Sequence, residues 1–318
     1  MFKTSRIFVA GSRGLVGSAI VRRLRTDGFE RVIEASRDEL DLTRQAAVEA
    51  FFDSKRPEYV LLAAAKVGGI LANNSRRGEF IRDNLLIQNN VIDAAYRSGT
   101  RKLLFLGSSC VYPKLAAQPI KEEYLLTGPL ESTNEPYAVA KIAGLKMVEA
   151  YRSQFGFNGI SLMPTNLYGP GDNFDLDSSH VLPALIRKCH EAKDRGDRQM
   201  VIWGTGMVRR EFLFVDDLAD AAVKLMNEYD GAELINVGSG TDITIRELAG
   251  IVADTVGFTG EIVSDTSKPD GTPRKLLDVS RIHALGWRAK TDLREGIDAT
   301  YRWYRATQEK LQFAGQAC

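Results

Sequence analysis

Five short apolar and β-branched runs recur through the first half of the sequence: RIFVA (6–10), RVIEAS (31–36), YVLLAAA (59–65), KLLFLG (102–107) and GISLMP (159–164). Longer stretches with helical periodicity separate them. No other feature restricts the chain as much, because strands interleaved with helices bury themselves as a parallel sheet covered on both faces. Between the third and fourth runs lies KVGGILANNSRRGEFIRDNLLIQNNVIDAAYRSG. It reads as a glycine-rich loop followed by a long helix, whose Phe80, Leu85, Ile87, Val91, Ile92 and Ala95 pack on the sheet.

The expected fold is therefore α/β: a Rossmann-type, doubly wound parallel sheet with a smaller α/β substrate-binding lobe. After Tyr168 the pattern loosens into GPGDNFDLDSSHVLP, a helix, and then MVIWGTGMVRREFLFVDDLADAAVKLM. The strand EFLFV and the helix after it read as a return to the main sheet. This divides the chain into a dinucleotide-binding domain, 1–168 with 211–238 returning to it, and a substrate-binding domain, 169–210 with 239–318. Repeats, low-complexity tracts and Pro/Ser linkers are absent, so the two lobes are expected to interleave.

Composition narrows the function. The 318 residues are 44% hydrophobic and carry a formal net charge of +1, which offers no basic field for nucleic acid or an anionic membrane. The apolar runs fall short of the roughly 20 residues of a membrane helix. Cys110, Cys189 and Cys318 have no CxxC spacing, and no positively flanked apolar leader opens the sequence, which points to a reducing, cytoplasmic setting. No metal is expected.

GSRGLVG follows the first run and opens an amphipathic helix ended by Gly28. Gly11, Gly14 and Gly17 allow a tight turn, close approach of backbone to a diphosphate, and helix–strand packing, with the helix N-terminus facing the anion. Ser12, Arg13, Leu15 and Val16 complete the loop. At the end of the second run, NAD sites usually carry an acidic residue for the ribose, whereas a 2′-phosphate calls for cations. Here the run ends at Ser36-Arg37, Glu34 falls within the strand, and Arg13 sits in the loop, which favours NADPH. Asp41 and Leu42 flank the adenine.

YAVAK places Tyr137 and Lys141 four apart on one helix face, with Asn134 as a helix cap and Pro136 in the first turn. An ammonium beside the phenol should lower its pKa towards neutrality. The fourth strand ends in GSS, which can bring Ser108 to the same carbonyl oxygen. Cys110 alone reads as a small buried hydrophobe. His180, however, lies in DSSHVLP, a polar loop entering an apolar helix, whereas His190 and His283 read as surface residues. A thiol on one side of a sugar and an imidazole on the other are the two groups an epimerase needs.

The order of glycine loop, GSS and YAVAK resembles the extended short-chain dehydrogenase/reductases over nearly the whole chain. Adding GSSCVYPK, EPYAVAK, LMPTNLYGPGDNFD, SSHVLPALIRK, WGTGMVRREFLFVDDLA and KPDGTPRKLLDV, the sequence resembles the GDP-L-fucose synthase family. That resemblance implies 3,5-epimerisation and then 4-reduction of GDP-4-keto-6-deoxy-D-mannose. Tyr137 would be the proton donor, Lys141 a ligand of the nicotinamide ribose, Ser108 the carbonyl polariser, and Cys110 and His180 the epimerising pair. Cofactor contacts would further include Ala63, Ala65, Leu106, Pro164, Thr165, Asn166, Leu167 and His180. Lys188, Trp203, Arg210 and Asp270 would meet the nucleotide-sugar alongside Ser108, Cys110 and Tyr137, although Trp203 also reads as a core residue. The resemblance further implies a homodimer through helices near 76–98 and 137–155. Left open are a related GDP-keto-sugar, of the colitose or 6-deoxy-heptose type, an NAD-dependent nucleotide-sugar 4-epimerase, and a non-catalytic dinucleotide sensor.

Overall fold

The computed structural model describes residues 1–268 and 270–316, with side chains to residue 310; Cys318 lies outside the described residues. The first half runs β1 (Arg6–Ala10), α1 (Leu15–Thr26), β2 (Arg31–Ile33), α2 (Gln45–Lys55), β3 (Tyr59–Leu62), α3 (Ile70–Ser75), α4 (Arg77–Arg97), β4 (Lys102–Leu106), α5 (Glu135–Phe155) and β5 (Gly159–Pro164). There follow β6 (Asn166–Tyr168), α6 (Val181–Arg195), β7 (Gln199–Trp203), β8 (Arg209–Phe214), α7 (Val215–Glu228), β9 (Ile235–Val237) and β10 (Asp242–Thr244). The chain ends with α8 (Ile245–Val256), β11 (Glu261–Asp265), β12 (Arg274–Lys275), α9 (Ser280–Ala284) and α10 (Leu293–Gln316).

One sheet has the order β2-β1-β3-β4-β5-β9, with every pairing parallel. Its central strands β4 and β5 are buried at every residue, as expected of strands covered by helices on both faces. The chain leaves β1 towards β2 and then crosses to β3, so β1 and β3 bound the point where the winding reverses. Ligands of such sheets sit there, beyond the strand C-termini. Gly11 follows β1 and Ala63–Ala65 follow β3, and the two segments lie against each other: the Ala63 amide donates to the Ala10 carbonyl at 3.0 Å.

A second sheet is built around β8, which pairs antiparallel with β10 and parallel with β6 and β12; β7 and β11 form a separate parallel pair. EFLFV therefore does not return to the main sheet. An apolar strand does not encode its partner, and here β6, arriving directly from β5, takes the edge of β8. The return is made by α7 and β9 alone. Lys102, at the start of β4, fixes that return: its buried ammonium donates to the carbonyls of Leu225, Met226 and Tyr229 at 2.7–3.0 Å, at the end of α7 where carbonyls face outward.

Two hydrophobic clusters result, one on both faces of the main sheet and one joining β8, α6, α8 and α10. Among the described residues no helix is long and apolar enough to cross a membrane.

Candidate active site

The glycine loop has the form its sequence predicts. Gly11 has φ +85°, and a Cβ on it would stand 2.8 Å from the Ala64 backbone; a Cβ on Gly17 would collide with the Gly11 carbonyl. Gly14 caps α1 without a side chain, so the amides of Leu15 and Val16 have no helical carbonyl to donate to. The Ser12 hydroxyl is buried and unpartnered. Free amides, a cradle with no room for Cβ atoms and an orphan hydroxyl fit a dinucleotide diphosphate.

Glu34 departs from expectation. β2 stops at Ile33, so Glu34 lies beyond the strand, where Arg25 from the last turn of α1 pairs with it. Arg13 and Arg37 are both exposed at this end, beside Glu39 and Asp41 respectively. The Asp41 carboxylate is occupied by the Thr43 amide and hydroxyl, at 3.0 and 2.7 Å, which holds its pKa below the usual range.

β4 leads into the candidate reactive residues. The chain passes from Leu106 through Gly107, where a Cβ would meet the Met163 sulfur, into a single 3-10 turn at 109–111. Ser108 caps that turn, its hydroxyl accepting from the Cys110 amide at 3.2 Å. Asn134 does not cap α5 with its side chain; its amide donates instead to the Cys110 sulfur at 3.2 Å. The Lys275 ammonium is 3.9 Å from the same sulfur. Strand alternation explains why Lys275 arrives there. β12 pairs with β8 so that Lys275 lies opposite Arg210 and Arg274 opposite Arg209. Arg209 and Arg274 bind Asp242 on one face, while Lys275 and Arg210 are left towards Cys110 on the other.

Tyr137 lies alongside Ser108 and Cys110. Its pKa is raised by burial and by the neighbouring thiol, while Ser108 draws it down. This corrects the expectation of a lowered phenol. The Lys141 ammonium shares the helix face but lies 6.0 Å from the Tyr137 ring, donating to the Leu106 carbonyl at 2.8 Å over the Phe105 ring. Only 3% exposed, Lys141 has its own pKa pulled down to about 7 by desolvation, so it does little to counter the cost of ionising the phenol.

His180 comes from a separate loop, at the N-terminus of α6. The residue is exposed, yet the protein around it lowers its pKa through desolvation. His190 and His283 are half-buried rather than superficial: one bonds the Tyr301 hydroxyl at 3.2 Å, the other Arg288 at 3.0 Å. Cys189 is a core residue whose thiol burial pushes up to about 12.

Lys188 and Lys268 flank the Trp203 ring at 5.4 and 5.7 Å. Trp203 is 43% exposed, which excludes the core reading. The Asp270 carboxylate accepts from the Thr205 amide and hydroxyl at 2.7 and 3.0 Å, and so shapes the turn before Arg210. Thr165 and Asn166 donate to the Glu211 carbonyl at 3.2 and 2.8 Å.

Sequence reasoning missed three polar groups. Lys275 lay in a quoted segment, but nothing local pointed its side chain at Cys110. Glu211, fully buried, accepts from the Gly240 and Leu277 amides at 2.7 and 3.0 Å. Asp172, in the loop beside Ser18 of α1, keeps one buried oxygen without a partner, and burial raises its pKa to about 7.

Residues 7–238 match the NAD dependent epimerase/dehydratase family. The chain belongs to that family. Within the epimerase/dehydratase family it is 61% identical to a protein of Oryza sativa subsp. japonica named probable GDP-L-fucose synthase 1, over 95% of this chain and 92% of that one. A structure of a GDP-6-OMe-4-keto-L-xylo-heptose reductase from C. jejuni superposes with a TM-score of 0.92 at 40% identity, covering 96% of this chain and 99% of the other. A GDP-mannoheptose C4 reductase from Campylobacter jejuni with NADP bound superposes at 0.87 with 41% identity, over 96% and 99%.

Proposed function

We propose that the protein converts GDP-4-keto-6-deoxy-D-mannose to GDP-L-fucose, by epimerisation at carbons 3 and 5 and then reduction of the 4-ketone. The observation that carries this reading is the meeting of Cys110, Ser108 and Tyr137 at the mouth of β4, in a chain 61% identical to a protein named a GDP-L-fucose synthase. A redox-neutral 4-epimerase has no need of a thiol held by Asn134 and Lys275.

The carbons flanking a ketone are acidic only while the carbonyl stands, so both epimerisations precede reduction. One of Cys110 and His180 takes the proton and the other returns one to the opposite face. Ser108 and Tyr137 donate to the enolate oxygen; the phenol, with its raised pKa, stays protonated and able to donate. In the last step Tyr137 protonates the 4-oxygen. The glycine loop, Arg13 and Arg37 would hold NADPH, which when bound supplies the hydride. Lys141 would meet its ribose, and residues 164–167 would lie beside its nicotinamide. Lys188, Trp203 and Arg210 bind the GDP portion through an aromatic plane and cations, with Asp270 ordering the turn beside them.

We assign the protein to the cytoplasm as a homodimer. Supporting the dimer, α4 and α5 pack side by side and leave Leu86 and Val139 about 40% exposed.

The test is NMR identification of the product formed from the keto-sugar and NADPH, with solvent deuterium to report exchange. Cys110→Ser is expected to lower deuterium entry about a hundredfold while NADPH affinity stays within about twofold. Normal exchange in that variant would falsify the role of the thiol.

A further inference from the structure

The turn Lys66–Gly69, between β3 and α3, offers no reactive group to the chemistry above; its one charged side chain, Lys66, is paired with Glu79 and Asp83. Its backbone is nevertheless held from several sides. Asn84 brackets Lys66, accepting from its amide at 2.9 Å and donating to its carbonyl at 3.0 Å. Asn73, 6% exposed, donates to the carbonyls of Gly68 and Gly69 at 2.6 and 3.1 Å. The Gly69 amide donates to the Ser178 carbonyl at 2.8 Å. On its other side the turn meets Phe80, 3.3 Å from where a Gly68 Cβ would stand, and Phe80 packs edge-on against Tyr137 with ring centroids 6.5 Å apart.

The turn thus spans the gap between the loop that carries His180 and the wall that carries Tyr137. Gly69 has φ −65°, which any residue adopts, so no backbone conformation requires glycine here. Space requires it: a Cβ would lie 2.5 Å from the Ser179 carbonyl, the residue before His180. We propose that Gly69, anchored by Asn73, is a positioning residue that lets the 178–180 loop seat close to the turn and so sets where the His180 imidazole stands. The inference rests on the reading of His180 as one of the two proton-exchange groups.

Gly69→Ala tests it, because the added methyl strains no torsion and pushes only on residues 178–179. Deuterium entry into the keto-sugar is expected to fall about tenfold or more, as a displaced catalytic group does, with NADPH affinity within about twofold. The chain has three histidines, so their ring-proton NMR signals are separable and His180→Asn assigns one. In Gly69→Ala the His180 signal should move while those of His190 and His283 stay. In a His180→Asn background Gly69→Ala should change exchange by less than about twofold, since both act on one group. Parent-like exchange in Gly69→Ala, an unmoved His180 signal, or full multiplicative loss in the double variant overturns the positioning role. If His180→Asn alone exchanges at the parent rate, the assignment of His180 itself fails, and the inference with it. Asn73→Ser, which removes the anchor without adding bulk, repeats the measurement should Gly69→Ala fail to fold, with the same outcomes deciding.

Discussion

A buried lysine that carries a proton only reluctantly gives the site its most testable single-residue property. Lys141 has a pKa of about 7 in the fold against 10.5 when solvated. Between those values the unfolded chain holds a proton that the folded chain has shed, so stability rises with pH across that window and is lowest below pH 7. Lys141→Met should therefore raise the melting temperature of the ligand-free protein near pH 7, with the gap closing towards pH 10.5. The free-energy difference is on the order of 5 kcal/mol at most, from the shift alone. A gap that does not shrink with pH would assign the effect to packing instead. Tyr137 and Lys141 were legible as a pair from their spacing, whereas their protonation was not. Spacing reports which face two side chains share; desolvation depends on everything packed around them.

At the scale of elements, β8 shows what pairing adds to a segment. EFLFV reads as a strand from its residues, yet the place of β8 among β6, β10 and β12 depends on partners up to 65 residues away in sequence. Glu211 ties these segments together through the amides of Gly240 and Leu277, and a Cβ at Gly238 would collide with its carboxylate. Glu211→Ala leaves the buried Leu277 amide and the part-buried Gly240 amide unpaired. With two amides losing their acceptor, one of them only part-buried, it is expected to cost about 2–4 kcal/mol, seen as a lower denaturant midpoint with unchanged slope. A midpoint within error of the parent would mean that water replaces the carboxylate. In the sequence Glu211 was one acidic residue beside two arginines, with no sign of its burial. The glycine loop, by contrast, was legible to the residue, because its constraints are local: a turn, a helix start and the backbone of the adjacent strand.

For the whole molecule, the chain leaves the main sheet at β6, returns through α7 and β9, and leaves again at β10, so the two sheets interleave without a single linker. This weave carries Arg210 and Lys275 to a thiol on the far side of the sequence. It also leaves α4 and α5 as a joined outer face. Leu86→Arg with Val139→Arg should convert a dimer of about 70 kDa, twice the 35.2 kDa chain, to monomer by light scattering while retaining NADPH binding. A parent already monomeric would overturn the dimer, and a variant still dimeric would move the interface elsewhere.

The amino-acid sequence by itself determined the parallel sheet, the tight glycine turn that opens α1 and the shared helix face of Tyr137 and Lys141, because periodicity, glycine spacing and helix-face spacing act over a few residues. Only the tertiary structure decided which sheet β8 joins, that Asn134 and Lys275 attend Cys110, that Glu34 is taken by Arg25, and that Tyr137 has its pKa raised. Each of those depends on segments far apart in the chain excluding water from one another, and no local pattern carries that information.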